Sequence, residues 1–221
     1  MCSRIKVLGV LVLFLSSTAW SFECVGPKTA SNFAVYLHGM DTQKPSPQEQ
    51  SNRKKLSEIA NKLNLRIAIP RAADLCSNDK NLICWGWNFN DSKIIDATLY
   101  LSSKAEAECF PKKKANGLIG FSNGGFVVNQ IVKDCKKTEF SWFVSIGAAG
   151  SWNDSSTEDL SQCGKISLLA GKQDKANYEN IKNLAAWFHK NKAPAQLIMY
   201  EGGHEIPEKE LEQELKGYLA K

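Results

Sequence analysis

The hexapeptide from Gly120 to Gly125, Gly-Phe-Ser-Asn-Gly-Gly, carries a serine whose surroundings suit nucleophilic chemistry. A short apolar run precedes Ser122, and residues 126–135 have the pattern of a helix. A serine between a buried strand and a helix lies on a sharp turn, with its hydroxyl exposed and the helix N-terminus behind it. The glycines permit this turn and the close approach of a substrate, because side chains there would block both. The pattern predicts Ser122 as a nucleophile.

A serine hydroxyl is a weak nucleophile at neutral pH, so it needs a neighbouring base, for which histidine is well suited. The chain has three histidines, His38, His189 and His204. His38 and His204 each follow a predicted strand, where functional groups of open sheets gather, whereas His189 lies late in a predicted helix. Because the acid and the histidine follow such a serine along the chain, we predict His204 as the base. A loop histidine with a purely structural role is the alternative.

The third member of such a constellation is a carboxylate, and Asp174 follows a predicted strand over residues 166–170. A carboxylate there would hold the imidazole in the required tautomer and stabilise the imidazolium. Competing acids lie in the preceding loop, where helix capping also accounts for them: Asp154, Glu158 and Asp159.

Attack on a carbonyl places negative charge on its oxygen, which backbone N–H groups can stabilise. The amide of Asn123, directly after the serine, is one predicted donor. The loop after the first strand, Leu37-His38-Gly39-Met40, would supply the second, with the Met40 amide as the candidate. We place His38 with the substrate-binding residues, where it would orient this loop rather than act as a base.

Strand-like and helix-like segments alternate after residue 21, which predicts one α/β domain over residues 22–221 with a mostly parallel sheet of about six strands and helices on both faces. The stretch over residues 71–90 is predicted to be irregular. Predicted strands cover residues 33–37, 65–69, 118–121, 140–146, 166–170 and 196–200. Predicted helices cover residues 47–63, 91–109, 126–135 and 176–190, and a last one begins at Pro207.

Residues 1–21 have the composition of a secretory signal peptide, with basic Arg4 and Lys6, an apolar run over residues 7–15 and a small-x-small cleavage site at residues 19–21. The apolar run is short for a bilayer, although a membrane anchor is the alternative. We therefore expect a secreted or periplasmic protein with no stable membrane span after signal removal. Removing Arg4 and Lys6 lowers the formal net charge from +5 to +3. Since no basic block is interleaved with aromatic residues, we expect no nucleic-acid partner.

Export would make disulfides the expected state of the cysteines that remain after the signal peptide leaves. Several connectivities are open. Pairing of Cys76 with Cys84 is favoured because it closes a short loop, followed by Cys109 with Cys135, which leaves Cys24 with Cys163. Metal binding is the alternative, but the chain has no Cys-x-x-Cys and few histidines, so we expect no metal and no cofactor.

Four segments together resemble the α/β-hydrolase superfamily and, within it, the phospholipase/carboxylesterase and acyl-protein thioesterase family. The resemblance implies a single-domain α/β-hydrolase fold with Ser122 as nucleophile, Asp174 as acid and His204 as base. The segment from Cys84 to Trp87 has a weaker similarity to secreted poly(3-hydroxybutyrate) depolymerases and feruloyl esterases. The four segments are Leu37-His38-Gly39-Met40-Asp41, the hexapeptide around the serine, Gly171-x-x-Asp174 and Gly203-His204.

Trp85 and Trp87 follow a predicted strand end, on the side of the sheet where the site is expected. They would either form an apolar wall for the substrate or pack the loop onto the sheet. The sequence as a whole predicts a serine hydrolase that cleaves small or polymeric carboxylic esters or thioesters. A serine peptidase of the same fold and a secreted binding module without catalytic activity are the alternatives.

Overall fold

The computed structural model describes residues 22–42, 44–72, 74–76, 79–86, 92–135, 138–150 and 159–220. The predicted signal peptide, Trp87 and two of the competing acids, Asp154 and Glu158, lie outside the described residues.

The described residues form ten strands and five helices. The strands are β1 (Glu23–Val25), β2 (Asn32–Leu37), β3 (Asp41–Thr42), β4 (Leu65–Ile69), β5 (Asp74–Cys76), β6 (Asp79–Cys84), β7 (Gly117–Phe121), β8 (Trp142–Ile146), β9 (Lys165–Gly171) and β10 (Ala195–Tyr200). The helices are α1 (Pro47–Lys62), α2 (Ser92–Cys109), α3 (Asn123–Lys133), α4 (Tyr178–Lys190) and α5 (Glu208–Leu219).

Seven of the strands form one sheet in the order β1-β4-β2-β7-β8-β9-β10. All neighbours pair in parallel except β1, which is antiparallel to β4. The α/β class and the mostly parallel sheet are therefore confirmed, with one strand more than predicted. The additional strand, β1, is too short for its sequence to show a pattern. A small antiparallel sheet, β3-β6-β5, occupies part of the stretch that was predicted to be irregular.

Helices cover both faces of the large sheet and form a separate core on each face. Because successive side chains of a strand point to opposite faces, neighbouring residues of the central strands enter different cores. Val35 and Leu37 of β2 pack with α2, α3 and α4, while Ala34 and Tyr36 pack with α1 and α5. All four side chains are buried, as expected for a parallel strand with helices on each side. None of the helices in the described ranges has the length and apolarity needed to cross a membrane.

Three disulfides connect the six cysteines of the described residues, and only the short-range pair was predicted correctly. Cys76 and Cys84 are paired and close the β5–β6 hairpin. The predicted pairing of Cys109 with Cys135 and of Cys24 with Cys163 is wrong. Helix α2 packs against β1 and β4, which brings Cys109 at its end to Cys24 of β1, whereas α3 packs against β7 and β8. The observed pairs are Cys24–Cys109 and Cys135–Cys163, with Cα–Cα distances of 5.5 and 5.4 Å.

Two helical glycines make a matched test of backbone packing. A Cβ atom added to Gly124 in α3 would lie 2.2 Å from the carbonyl oxygen of Leu37, whereas one added to Gly217 in α5 would meet no atom within 4 Å. We expect Gly124→Ala to lower the free energy of unfolding by about 2 kcal/mol or more, because backbone must shift. Gly217→Ala should raise it by about 0.5–1 kcal/mol through helix propensity. Urea unfolding measures both, and a shift of the same sign in the two variants would contradict this packing.

Candidate active site

Ser122 lies on a sharp turn between β7 and α3, as its sequence context predicted. Its backbone angles are φ 51° and ψ −117°, a left-handed conformation that costs a non-glycine residue on the order of 1–3 kcal/mol. The Ser122 amide donates to the carbonyl of Ile146 at 2.9 Å, which fixes the turn to the neighbouring strand β8. Its side chain makes no capping hydrogen bond to α3. The hydroxyl is therefore held on a strained turn without a role in capping the helix.

The loop after β2 approaches this turn closely because it contains a glycine. A Cβ atom added to Gly39 would lie 3.2 Å from Cβ of Ser122 and 3.1 Å from the ring of Phe121. Both distances are tighter than ordinary van der Waals contact, so a side chain at position 39 would push the two segments apart. The Gly39–Met40 peptide thus lies beside the serine, where sequence reasoning placed the second amide donor.

His204 and Asp174 form a hydrogen-bonded pair at the ends of β10 and β9. Nδ1 of His204 lies 2.7 Å from Oδ2 of Asp174. A carboxylate only accepts hydrogen bonds, so in a pair of this kind Nδ1 is the donor and Nε2 is the nitrogen that points away from the acid. The Asp174 carboxylate is buried and also accepts from Nδ2 of Asn177, at 3.1 and 3.0 Å. Sequence reasoning missed Asn177, since a polar residue before a helix gives no signal beyond capping.

The imidazole of His204 lies next to the serine turn. Its ring centroid is 4.9 Å from that of Phe121, the residue before Ser122. A Cβ atom added to Gly147 would lie 3.0 Å from Nδ1 of His204, and Gly147 directly follows the residue that binds the Ser122 amide. Within the described ranges, no hydrogen bond joins the side chains of Ser122 and His204. The structure thus brings the predicted serine, acid and base to the same edge of the sheet.

The first turn of α1 connects the loop after β2, which contains Met40, to the loop after β10, which contains His204. Buried Asp41 accepts hydrogen bonds at Oδ1 from the amides of Thr42 at 2.9 Å and Ser46 at 2.7 Å. Ser46 in turn caps α1, and Gln48 of the same turn donates through Nε2 to the carbonyl of His204 at 2.8 Å. The helix end therefore anchors two of the segments that surround Ser122.

His38 is buried, and its two ring nitrogens are both bonded to the backbone. Nδ1 donates to the carbonyl of Gly39 at 2.6 Å, and Nε2 accepts from the amide of Ala72 at 3.0 Å. Burial lowers the pKa of His38 to about 4, so the ring is neutral at pH 7. The placement of His38 among the substrate-binding residues is therefore wrong, since no ring nitrogen is left for a substrate. Its observed contacts are those of a residue that orients the loop.

The neutral state of His38 predicts a specific pH dependence of stability. An unfolded histidine takes up a proton near pH 6.5, while the folded one does so only near pH 4. Its contribution to the free energy of unfolding is therefore complete above pH 6.5 and lost as the pH falls through 4, by about 3 kcal/mol. We expect the difference in unfolding free energy between wild type and His38→Gln to shrink over this range, measured by urea unfolding at each pH. Parallel curves would contradict it.

The comparison between wild type and variant is needed because Glu49 titrates in the opposite sense. Burial raises the pKa of this carboxyl to about 7. Its contribution to stability is therefore present below about pH 4.5 and lost as the pH rises through 7. The wild-type curve alone would combine the contributions of His38 and Glu49 with those of other groups whose pKa is shifted, such as Glu106.

Trp85 and the side chain of Asn123 face each other in the protein interior. The Trp85 amide donates to Oδ1 of Asn123 at 2.8 Å, and the indole Nε1 donates to the carbonyl of His38 at 2.8 Å. Only 3% of Trp85 is exposed, so it packs the loop onto the sheet and is not a wall of the substrate site. Trp87 lies outside the described residues. Met40, by contrast, is 44% exposed.

A serine, an imidazole–carboxylate pair and the two candidate backbone amides thus lie at the carboxyl ends of neighbouring strands. Groups of these types, in this arrangement, are those that perform acyl transfer. In the part of the chain that the structure describes, no group of three or more histidine, cysteine, aspartate or glutamate side chains is placed to hold a metal ion.

Comparison with models of protein families identifies the family to which this chain belongs. A model of the serine hydrolase family FSH1 matches residues 34–215, which is most of the chain. The chain belongs to the FSH1 serine hydrolase family. A comparison with curated proteins gave no match.

This FSH1 serine hydrolase is similar in fold to several solved structures. A carboxylesterase from Mesorhizobium loti has a TM-score of 0.68 and 14% identity, over 92% of this chain and 97% of that one. A Bacillus cereus carboxylesterase has a TM-score of 0.67 and 15% identity, over 94% and 96%. Acyl-protein thioesterase 2 of Zea mays has a TM-score of 0.61 and 19% identity, over 90% and 99%. The α/β-hydrolase fold that the resemblance implied is confirmed, while the similarity to depolymerases and feruloyl esterases stays a prediction.

Proposed function

We propose that this serine hydrolase is an exported esterase that cleaves carboxylic esters or thioesters through an acyl-enzyme on Ser122. The observation that carries the proposal is the strained Ser122 turn beside a histidine whose Nδ1 is paired with a buried carboxylate. Solved proteins of similar fold are named carboxylesterase and acyl-protein thioesterase, which supports an ester or thioester substrate. Neither name specifies the acyl group for this chain.

In the first half of the proposed reaction, Oγ of Ser122 attacks the carbonyl carbon while Nε2 of His204 takes the hydroxyl proton. Asp174 stabilises the imidazolium through Nδ1. The amides of Met40 and Asn123 donate to the oxygen that becomes negative. The intermediate then collapses: the bond to the leaving oxygen or sulfur breaks, and His204 protonates the leaving group. Ser122 is left as an ester.

In the second half, water replaces the leaving group. His204 takes a proton from water, the hydroxide attacks the acyl carbonyl, and the same two amides stabilise the oxyanion. The bond from the acyl carbon to Oγ breaks, and His204 returns the proton to Ser122. The net reaction is hydrolysis to an acid and an alcohol or thiol, and no cofactor takes part in it.

The export part of the proposal is supported by composition and by the cysteines. Residues 1–21 have the basic, apolar and small-residue regions of a signal peptide. Three disulfides connect the six cysteines that would remain after its removal. Disulfides persist in oxidising compartments and are rare in the cytosol of most cells, so a secreted or periplasmic location fits.

The proposed reaction is tested by turnover on a matched set of substrates. We expect the folded protein to hydrolyse short-chain nitrophenyl esters and acyl thioesters, and to leave aminoacyl nitroanilides uncleaved. Cleavage of the anilides with no esterase activity would replace the proposal with the peptidase alternative. A folded, disulfide-bonded protein that cleaves none of these substrates would favour the binding module.

A further inference from the structure

The two segments that carry the candidate oxyanion amides are connected by a third segment, at Trp85. Through its backbone amide Trp85 binds the side chain of Asn123, and through its indole it binds the carbonyl of His38, each at 2.8 Å. Both hydrogen bonds are buried, where water does not compete for the donors. One residue therefore connects the loop after β2 with the first residue of α3.

The position of the Met40 amide follows from the peptide that contains it. The carbonyl of Gly39 is held by Nδ1 of His38 at 2.6 Å. In a trans peptide the C=O and the following N–H point in opposite directions, and the described chain has no cis peptide bond. Holding the Gly39 carbonyl toward His38 therefore directs the Met40 N–H away from His38. Since Gly39 lies against Ser122, the contacts of His38 determine where this N–H lies relative to the serine.

Trp85 is itself held in place by the disulfide-closed hairpin. It directly follows Cys84, which ends β6 and is bonded to Cys76. Strand β6 also pairs with β3, where Asp41 is opposite Ile83. Pairing with β3 thus fixes the hairpin to Asp41, the residue after Met40. The hairpin in turn places the indole of Trp85 against the carbonyl of His38. This bracing does not depend on the substrate, because all of its contacts are within the protein.

We infer that Trp85 is a positioning residue that holds the Met40 and Asn123 amides at the spacing an oxyanion requires, an inference that rests on the proposed function. The Asn123 side chain takes part as the acceptor for Trp85, and it is buried. The hydrogen bonds of Trp85 are to Asn123 and His38 rather than to Ser122 or His204. Trp85 acts through His38 and Asn123 and should therefore affect the rate of the chemical step more than substrate binding.

The test compares Trp85→Phe with Trp142→Phe in the full-length, disulfide-bonded protein. Both tryptophans are 3% exposed, but Trp142 is the first residue of β8, at the end opposite the site. Its indole nitrogen has no hydrogen-bond partner in the part of the chain that the structure describes. We expect Trp85→Phe to lower kcat about tenfold with KM changed less than about twofold, because displacing an oxyanion donor costs part of its full effect. Trp142→Phe should leave kcat unchanged.

A second measurement does not depend on activity. Hydrogen exchange of the amides in residues 38–42 should be faster in Trp85→Phe than in wild type, and unchanged in Trp142→Phe, at comparable free energies of unfolding. Asn123→Ala, which keeps its own amide and removes the acceptor for Trp85, should reproduce both effects. It provides the same test if Trp85→Phe does not fold.

The outcomes separate the inference from the proposed function. Unchanged kcat and unchanged exchange in Trp85→Phe and Asn123→Ala would overturn the inference, as would an equal loss of kcat in Trp142→Phe. If wild type hydrolyses no ester, the proposed function fails. Exchange in residues 38–42 would then still decide whether Trp85 holds this loop.

Discussion

Ser122→Ala is expected to abolish ester hydrolysis, with kcat lowered by about 10⁴-fold or more, because the acyl-enzyme cannot form without Oγ. The remaining rate would come from the amide donors and from substrate positioning alone. Alanine also removes no capping hydrogen bond, since the Ser122 side chain does not cap α3. The free energy of unfolding should therefore change little. Alanine keeps the backbone strain that any non-glycine residue has at φ 51°.

The control for this variant is Ser103→Ala. Ser103 is an exposed serine on α2 whose hydroxyl donates to the carbonyl of Tyr100. It should retain wild-type kcat and KM on a nitrophenyl ester. Retention of more than about a tenth of the activity in Ser122→Ala would remove Ser122 from the mechanism.

Asp174→Asn is expected to lower kcat by about 10⁴-fold while leaving the protein folded. Asparagine can donate a hydrogen bond to Nδ1 of His204, which moves the ring proton to Nε2 and leaves no lone pair to accept the serine proton. The loss should occur in kcat more than in KM, because the carboxylate lies 2.7 Å from the imidazole and acts through it. Steady-state kinetics on the same ester measure both constants.

Asp159→Asn is the matched control, because it tests an acid that competes with Asp174 in the sequence. In the structure Asp159 is exposed, accepts from the amide of Ser161 and pairs with Lys192. Among the residues that the structure describes, no hydrogen bond or ion pair joins Asp159 to His204, so kcat should be unchanged. A loss in Asp159→Asn as large as that in Asp174→Asn would contradict the assignment of the acid.

The serine turn and the parallel strands could be predicted because each is specified by a few adjacent residues. The serine turn was predictable because strand, glycines and helix are adjacent in the chain between Gly117 and Lys133. The parallel strands were predictable because burial on both faces makes each an apolar run. Strand β1 was missed, since its three residues include one buried side chain, Val25.

The errors concern contacts between distant segments. Whether a histidine nitrogen faces a substrate or a backbone amide cannot be read from the residue type, and His38 is bonded to Ala72, 34 residues away. The long-range disulfides were mispaired because the pattern of α2 does not reveal that it packs against β1 and β4. The sequence left the position of Trp85 open for the same reason, since its indole donates to a carbonyl 47 residues earlier in the chain.

An activated nucleophile reacts with a fluorophosphonate, so covalent labelling reports on Ser122 without a substrate. The folded protein is incubated with a fluorophosphonate probe, digested and analysed by mass spectrometry. We predict one phosphonylated residue, Ser122, with labelling absent in Ser122→Ala, strongly slowed in His204→Ala and unchanged in the exposed histidine variant His189→Ala. Labelling of a different serine, or no labelling of a folded wild-type protein, would contradict the role of Ser122 as the nucleophile.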